Sequence, residues 1–153
     1  MQSLIFDFKK SPTFFKKWNK EFDVEDIISD SDTINADFNI VIVDDVCDDN
    51  IEDCIDSNGE LVYSSPHILS KTCALDYKEE GLERCYISLN QDVTFDFEEL
   101  SVENFSLKGA FLTTEGGYVL GYSINQYSLN VTYQMIFEEG LIFFDIIEGV
   151  VND

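Results

Sequence analysis

From residue 71 to residue 150 the chain alternates short apolar runs with turn-forming clusters. KTCALDY (Lys71–Tyr77), RCYISL (Arg84–Leu89), VTFDFEEL (Val93–Leu100), FSLKGAFLTT (Phe105–Thr114), YVLGYSI (Tyr118–Ile124), LNVTYQMIF (Leu129–Phe137) and LIFFDII (Leu141–Ile147) each read as a strand. In VTFDFEEL, Val93, Phe95 and Phe97 share one face, with polar residues between them. Glu79-Glu80-Gly81, Glu115-Gly116-Gly117 and Glu138-Glu139-Gly140 place glycine where a hairpin has to reverse. Upstream, FNIVIV (Phe38–Val43) is a nearly unbroken β-branched run, the pattern of a strand buried on both faces. In SLIFDFK (Ser3–Lys9), Leu4, Phe6 and Phe8 fall opposite Ile5 and Asp7, which predicts a first strand. Ser11-Pro12 resembles a helix cap followed by proline in the first turn. PTFFKKWNKEF therefore predicts a short helix, with an amphipathic strand as the alternative. Asp23–Asp37 is a polar connection, and Asp44–Glu60, with Asn58-Gly59 near its end, is a surface loop or broad turn.

Runs this short, with turns every ~8–14 residues and no βαβ alternation, predict a mostly β protein. The expected architecture is an antiparallel β-sandwich of immunoglobulin-like type, or a barrel, with at most one or two short helices near the N-terminus. The length of 153 residues suits one domain. Thirteen Phe and seven Tyr reinforce the sheet reading, and 44% hydrophobic residues are too many for a disordered acidic chain. No apolar run approaches the ~18 residues of a membrane helix, so no membrane partner is expected. MQSLIFDFKK lacks the order of a signal peptide, which predicts a protein that stays where it is made.

Charge divides the chain. Residues 1–20 hold five lysines against Asp7, a net +4; the remaining residues carry four basic side chains against 30 acidic ones, a net −26. This predicts a basic N-terminal arm or edge segment (residues 1–20) and an acidic β domain (residues 21–153). The first candidate interaction set is Lys9, Lys10, Phe14, Phe15, Lys16, Lys17, Trp18 and Lys20. Such a segment can fold back on its own acidic body, or dock on another acidic copy or neighbour. Nucleic acid is not the expected partner, because the body would repel a polyanion. The second set is the acidic loop: Asp44, Asp45, Asp48, Asp49, Glu52, Asp53 and Asp56.

Catalytic equipment is sparse, and no enzyme is expected. The one histidine, His67, sits in the turn-like SSPHILS, and no G-x-S-x-G elbow or Gly-rich phosphate cradle occurs. With 31 acids, a pair of carboxylates carries no weight as a glycosidase signal. Aligning Gly59 with the EF-hand glycine puts Cys54 and Ser65 where Asp and Glu are required, which rejects that motif. An irregular calcium site within Asp44–Asp56 is the remaining metal alternative; no cofactor is expected. Cys47, Cys54, Cys73 and Cys85 form no C-x-x-C pair, so they read as buried thiols in a reducing compartment. Asn104-Phe105-Ser106 and Asn130-Val131-Thr132 match glycosylation acceptors but lie in or beside strands, and both read as chance.

LKGAFLTTEGGYVLGYSINQ, followed by LNVTYQMIFEEGLIFFDIIEGVV, resembles small virion proteins of tailed bacteriophages, particularly the crAss-like gut phages. The resemblance spans about residues 93–150. It implies a structural role in a virion, on an immunoglobulin-like or related sandwich, in a protein made in the bacterial host cytoplasm. It assigns no catalytic or binding residue. The expected function is an auxiliary capsid or head–tail connector (ring) subunit, oligomeric and bound to other virion proteins. The alternatives are an acidic nucleic-acid mimic that inhibits a host defence protein, and a calcium-binding β module.

Overall fold

A computed structural model describes residues 6–10, 34, 36–44, 54–62, 68–80, 84–100, 105–131 and 133–146. These residues are all-β, in ten strands: β1 (Lys9–Lys10), β2 (Phe38–Val43), β3 (Ile68–Cys73), β4 (Leu75–Glu80), β5 (Arg84–Leu89), β6 (Val93–Asp96), β7 (Phe105–Thr114), β8 (Val119–Val131), β9 (Gln134–Phe137) and β10 (Ile142–Ile146). Every pairing is antiparallel. The sheets run β1-β8-β7-β2-β3, β10-β5-β4 and β6-β9, and none closes into a barrel. The expected mostly β, sandwich-like architecture is therefore observed. The helix expected within residues 12–22 lies outside the described residues, and among those described no helix is long and apolar enough to cross a membrane.

The main core lies between one face of the five-stranded sheet and the two smaller sheets. Phe38, Ile40, Ile42, Leu107, Leu112 and Leu120 from the first meet Leu75, Ile87, Leu89, Phe95, Phe137 and Phe143 from the others. β2 shows why its sequence has no polar alternation. Phe38, Ile40 and Ile42 enter this core, while Val41 and Val43 enter a second cluster on the opposite face with Cys54, Phe111 and Val119. Both faces are apolar because both are covered.

A register shift between Leu107 and Gly109 controls β7. Leu107, Ala110 and Leu112 all join the main core while Phe111 joins the second cluster, a parity possible only with one extra residue at the shift. Gly109 suits the spot: a Cβ there would meet the Ser123 carbonyl oxygen at 2.7 Å and Ile124 Cδ1 at 2.8 Å. At the β7–β8 turn, the Gly117 N–H donates to the Thr114 carbonyl (3.0 Å) and the Thr114 N–H to that of Tyr118 (2.9 Å), so Glu115-Gly116-Gly117 forms the hairpin loop read from sequence.

Several expected strands have other bounds: VTFDFEEL is strand only over Val93–Asp96, YVLGYSI belongs to a strand that continues to Val131, and two further runs are divided. KTCALDY is not one strand: it ends β3 and begins β4, and the chain changes sheets at Ala74. There the Asn90 N–H bonds to the Ala74 carbonyl (3.0 Å) and the Ile34 N–H to that of Leu75 (2.8 Å). LNVTYQMIF likewise divides between the end of β8 and β9. In both cases apolar residues continue across the break because both strands face the same core.

Candidate interaction surface at the N-terminal edge

The described part of the N-terminal segment is built into the body. Phe6 and Phe8 alternate with Asp7, and both aromatic rings turn inward. Phe8 is only 7% exposed and meets Phe143 edge-on, with ring centroids 4.9 Å apart. Phe6 lies against Phe137 at 4.7 Å and against Phe8 at 6.0 Å. The Asp7 N–H donates to Ser123 Oγ (3.1 Å), and Lys9 and Lys10 stand opposite Tyr122 and Gly121 of β8. Burying one Phe is worth about 1.5–3 kcal/mol, and each aromatic pair adds about 0.5–1.5 kcal/mol. Two residues of ladder would not hold alone; the rings anchor the segment.

This socket is assembled from β8, β9 and β10. The strand expected over Ser3–Lys9 is paired only at Lys9–Lys10; Phe6–Phe8 lie outside any ladder, and residues 3–5 are outside the described set. The inward face read for Phe6 and Phe8 is observed. Sequence reading missed Phe137, Phe143 and Ser123 as the receiving surface. Their pairing with residues 6–8 spans more than 100 positions, and no local pattern encodes it. Lys9 is exposed, and Phe14, Phe15, Lys16, Lys17, Trp18 and Lys20 lie outside the described residues.

Of the acidic loop, Asp44 follows β2 and Asp56 opens a tight turn; Asp45, Asp48, Asp49, Glu52 and Asp53 lie outside the described residues. Asp56 Oδ1 accepts the N–H groups of Asn58 (2.8 Å) and Glu60 (3.0 Å), and the Gly59 N–H donates to the Asp56 carbonyl (3.0 Å). The turn expected at Asn58-Gly59 is thus stitched by a carboxylate from the acidic run itself. Ile55 bridges Leu61, and Glu60 bridges Tyr118. The resulting small hairpin, residues 54–62, covers the second face of the large sheet through Cys54, Ile55 and Leu61. Gly59, at φ +85°, lies directly under the Tyr118 ring. Among the described residues no three or more His, Cys, Asp or Glu side chains are grouped to hold a metal.

The cysteines differ from expectation. Cys54 is wholly buried and disulfide-bonded, whereas the sequence suggested reduced thiols throughout. It lies in the second cluster, where the covering hairpin begins. Cys73 is a free buried thiol whose pKa is pushed up to about 12 by loss of solvation.

No protein-family model, curated protein or solved structure matches the chain significantly.

Proposed function

We propose that the chain is a structural subunit of a tailed-phage virion, an auxiliary capsid or head–tail connector (ring) protein that works through protein–protein contacts. The observation that carries this reading is that residues 6–10, within a basic N-terminal stretch, seat on the edge of an acidic β body. A −26 body repels its own copies, so contact between them needs the +4 segment or a basic neighbour. The sheet edges support the same reading. Beyond β1, the described strands β3, β4 and β10 end their sheets, and β6 and β9 form a ribbon with two edges. Such edges are where subunits add to one another. The resemblance of residues 93–150 to small phage virion proteins supplies the setting.

The test is incorporation, during phage assembly, of a chain whose five lysines in residues 1–20 are replaced by glutamine, which leaves Phe6 and Phe8 in place. Loss from particles, with the substituted protein still folded by circular dichroism, is the expected result. Undiminished incorporation would remove the basic segment from the account. Assembly of the full chain should also weaken between 0.05 and 0.5 M salt, because screening shortens the reach of its charges.

A further inference from the structure

We infer that the outer face of the β6–β9 ribbon docks a basic, extended segment of another protein, one in which arginine and apolar residues share a face. This rests on the protein-contact reading above and names a surface and the chemistry of its partner. The ribbon has two distinct faces. Val93, Phe95, Met135 and Phe137 enter the main core, while Thr94 stands opposite Ile136, and Asp96 opposite Gln134, on the outer side. Among the described residues no further strand pairs with either strand of the ribbon. Yet the outer side is not uniformly polar. Ile136 is 44% exposed. Alternation would send Tyr133 inward with Met135, but Tyr133 is turned out and 66% exposed. The Tyr133 carbonyl accepts the Phe97 N–H (2.9 Å), which sets Tyr133 beside the turn Glu98-Glu99-Leu100, where Leu100 is exposed as well.

Charge selects the occupant. Asp96 Oδ1 accepts the N–H groups of Glu98 (3.1 Å) and Glu99 (3.2 Å), and Asp92 Oδ1 accepts that of Glu139 (2.7 Å). Both ends of the ribbon are therefore tied turns that present exposed glutamates. From Cys85 to Asp153 eleven acidic residues stand against one basic residue, Lys108, which is buried. The edge strands β1, β3 and β4 each carry lysine, a common guard of sheet edges, whereas β6 and β9 carry none. A face of this sign repels nucleic acid, anionic lipid and a second copy of the same −22 chain. A bare metal ion would leave Tyr133 and Ile136 without a use, and no metal-holding group occurs among the described residues. An arginine-bearing segment uses every feature. Its guanidinium stacks on the Tyr133 ring while bonding a glutamate, and an apolar side chain further along the same face covers Ile136.

The test is fluorescence anisotropy with the full chain at about 0.15 M salt. The probe is a fluorescein-labelled peptide of Arg-Arg-Leu-Leu repeats, which puts arginine and leucine on each face when extended; a peptide with glycine in place of leucine matches its charge. Three variants are compared, each checked by circular dichroism and each altered only at exposed positions. Tyr133→Thr/Ile136→Thr keeps the net charge and the strand preference. Glu98→Gln/Glu99→Gln removes charge beside Tyr133. Glu60→Gln/Glu115→Gln removes the same charge from the covering hairpin and the β7–β8 turn. Docking on the ribbon predicts tighter binding of the leucine peptide, and a loss of about tenfold in the first two variants against less than about twofold in the third. Equal losses in the two glutamine variants, or unchanged binding by Tyr133→Thr/Ile136→Thr, would overturn the inference. Self-association of the chain that Tyr133→Thr/Ile136→Thr abolishes, without peptide binding, would give the face to a second copy and overturn it too. Purified virions separate this from the broader reading. Virions that contain the chain, with no ribbon-dependent peptide binding, sink the docking face alone. Ribbon-dependent binding by a chain absent from virions sinks the virion role alone.

Discussion

Replacing Gly59 with alanine tests whether the hairpin over the second sheet face is seated as described. Gly59 has φ +85°, a region that costs an L-residue about 1–2 kcal/mol. The new Cβ would also run into the Tyr118 ring, with Cε2 nearest and Cζ at 2.8 Å. Tyr118 is 7% exposed and belongs to the main core, so the ring cannot swing into solvent. Overpacking of this kind costs about 1–3 kcal/mol. Gly59→Ala should therefore destabilise by about 2–5 kcal/mol, measured by urea unfolding followed by far-UV circular dichroism. In a Tyr118→Leu background the steric part disappears and about 1–2 kcal/mol of backbone strain remains. A loss under about 0.5 kcal/mol for Gly59→Ala, or the same loss in both backgrounds, would refute the packing of Gly59 beneath Tyr118.

Other predictions follow from the same contacts. Phe8→Ala should cost about 3 kcal/mol and Phe6→Ala, at a half-buried position, less; equal, negligible losses would show that the segment is not anchored. Reduction by a dithiol should lower stability by about 2–4 kcal/mol through Cys54, and a Cys54→Ser chain should no longer respond to it. Cys73 should resist maleimide in the native protein and react on unfolding. Because its folded pKa, about 12, lies above the unfolded 9.0, the folded state holds a proton that the unfolded state loses between these pH values. Its contribution is thus fully present below pH 9 and falls by about 4 kcal/mol as the pH rises to 12, a loss that Cys73→Ala should remove.

Local chemistry was legible where one segment decides its own shape. FNIVIV could only be a strand covered on both faces, and β2 is one. RCYISL and FSLKGAFLTT have the bounds read from sequence, because glycine or polar clusters punctuate them. Legibility failed where tertiary partners set the boundary. Ala74 looks like strand interior, yet bonds from Asn90 and Ile34 at that point mark the passage from one sheet to another. Tyr133 and Gln134 sit in a continuous β-prone run, but the Tyr133 carbonyl accepts the Phe97 N–H at the start of a new ribbon. The disulfide of Cys54 was missed because cysteine spacing carries no pairing information. The candidate site was half legible. Charge and aromatic alternation singled out the N-terminal segment, while its socket on Phe137, Phe143 and Ser123 exists only after folding.

The proposed role of this acidic β protein is to build a particle. The decisive measurement is quantitative mass spectrometry of virions purified from a phage that encodes it. The proposed role requires the chain in the particles at a fixed copy number, set by the symmetry of a capsid or ring. Finding it in the infected-cell lysate but not in purified virions would contradict the claim, and its recovery there with a basic host protein would turn the acidic body into a mimic of nucleic acid.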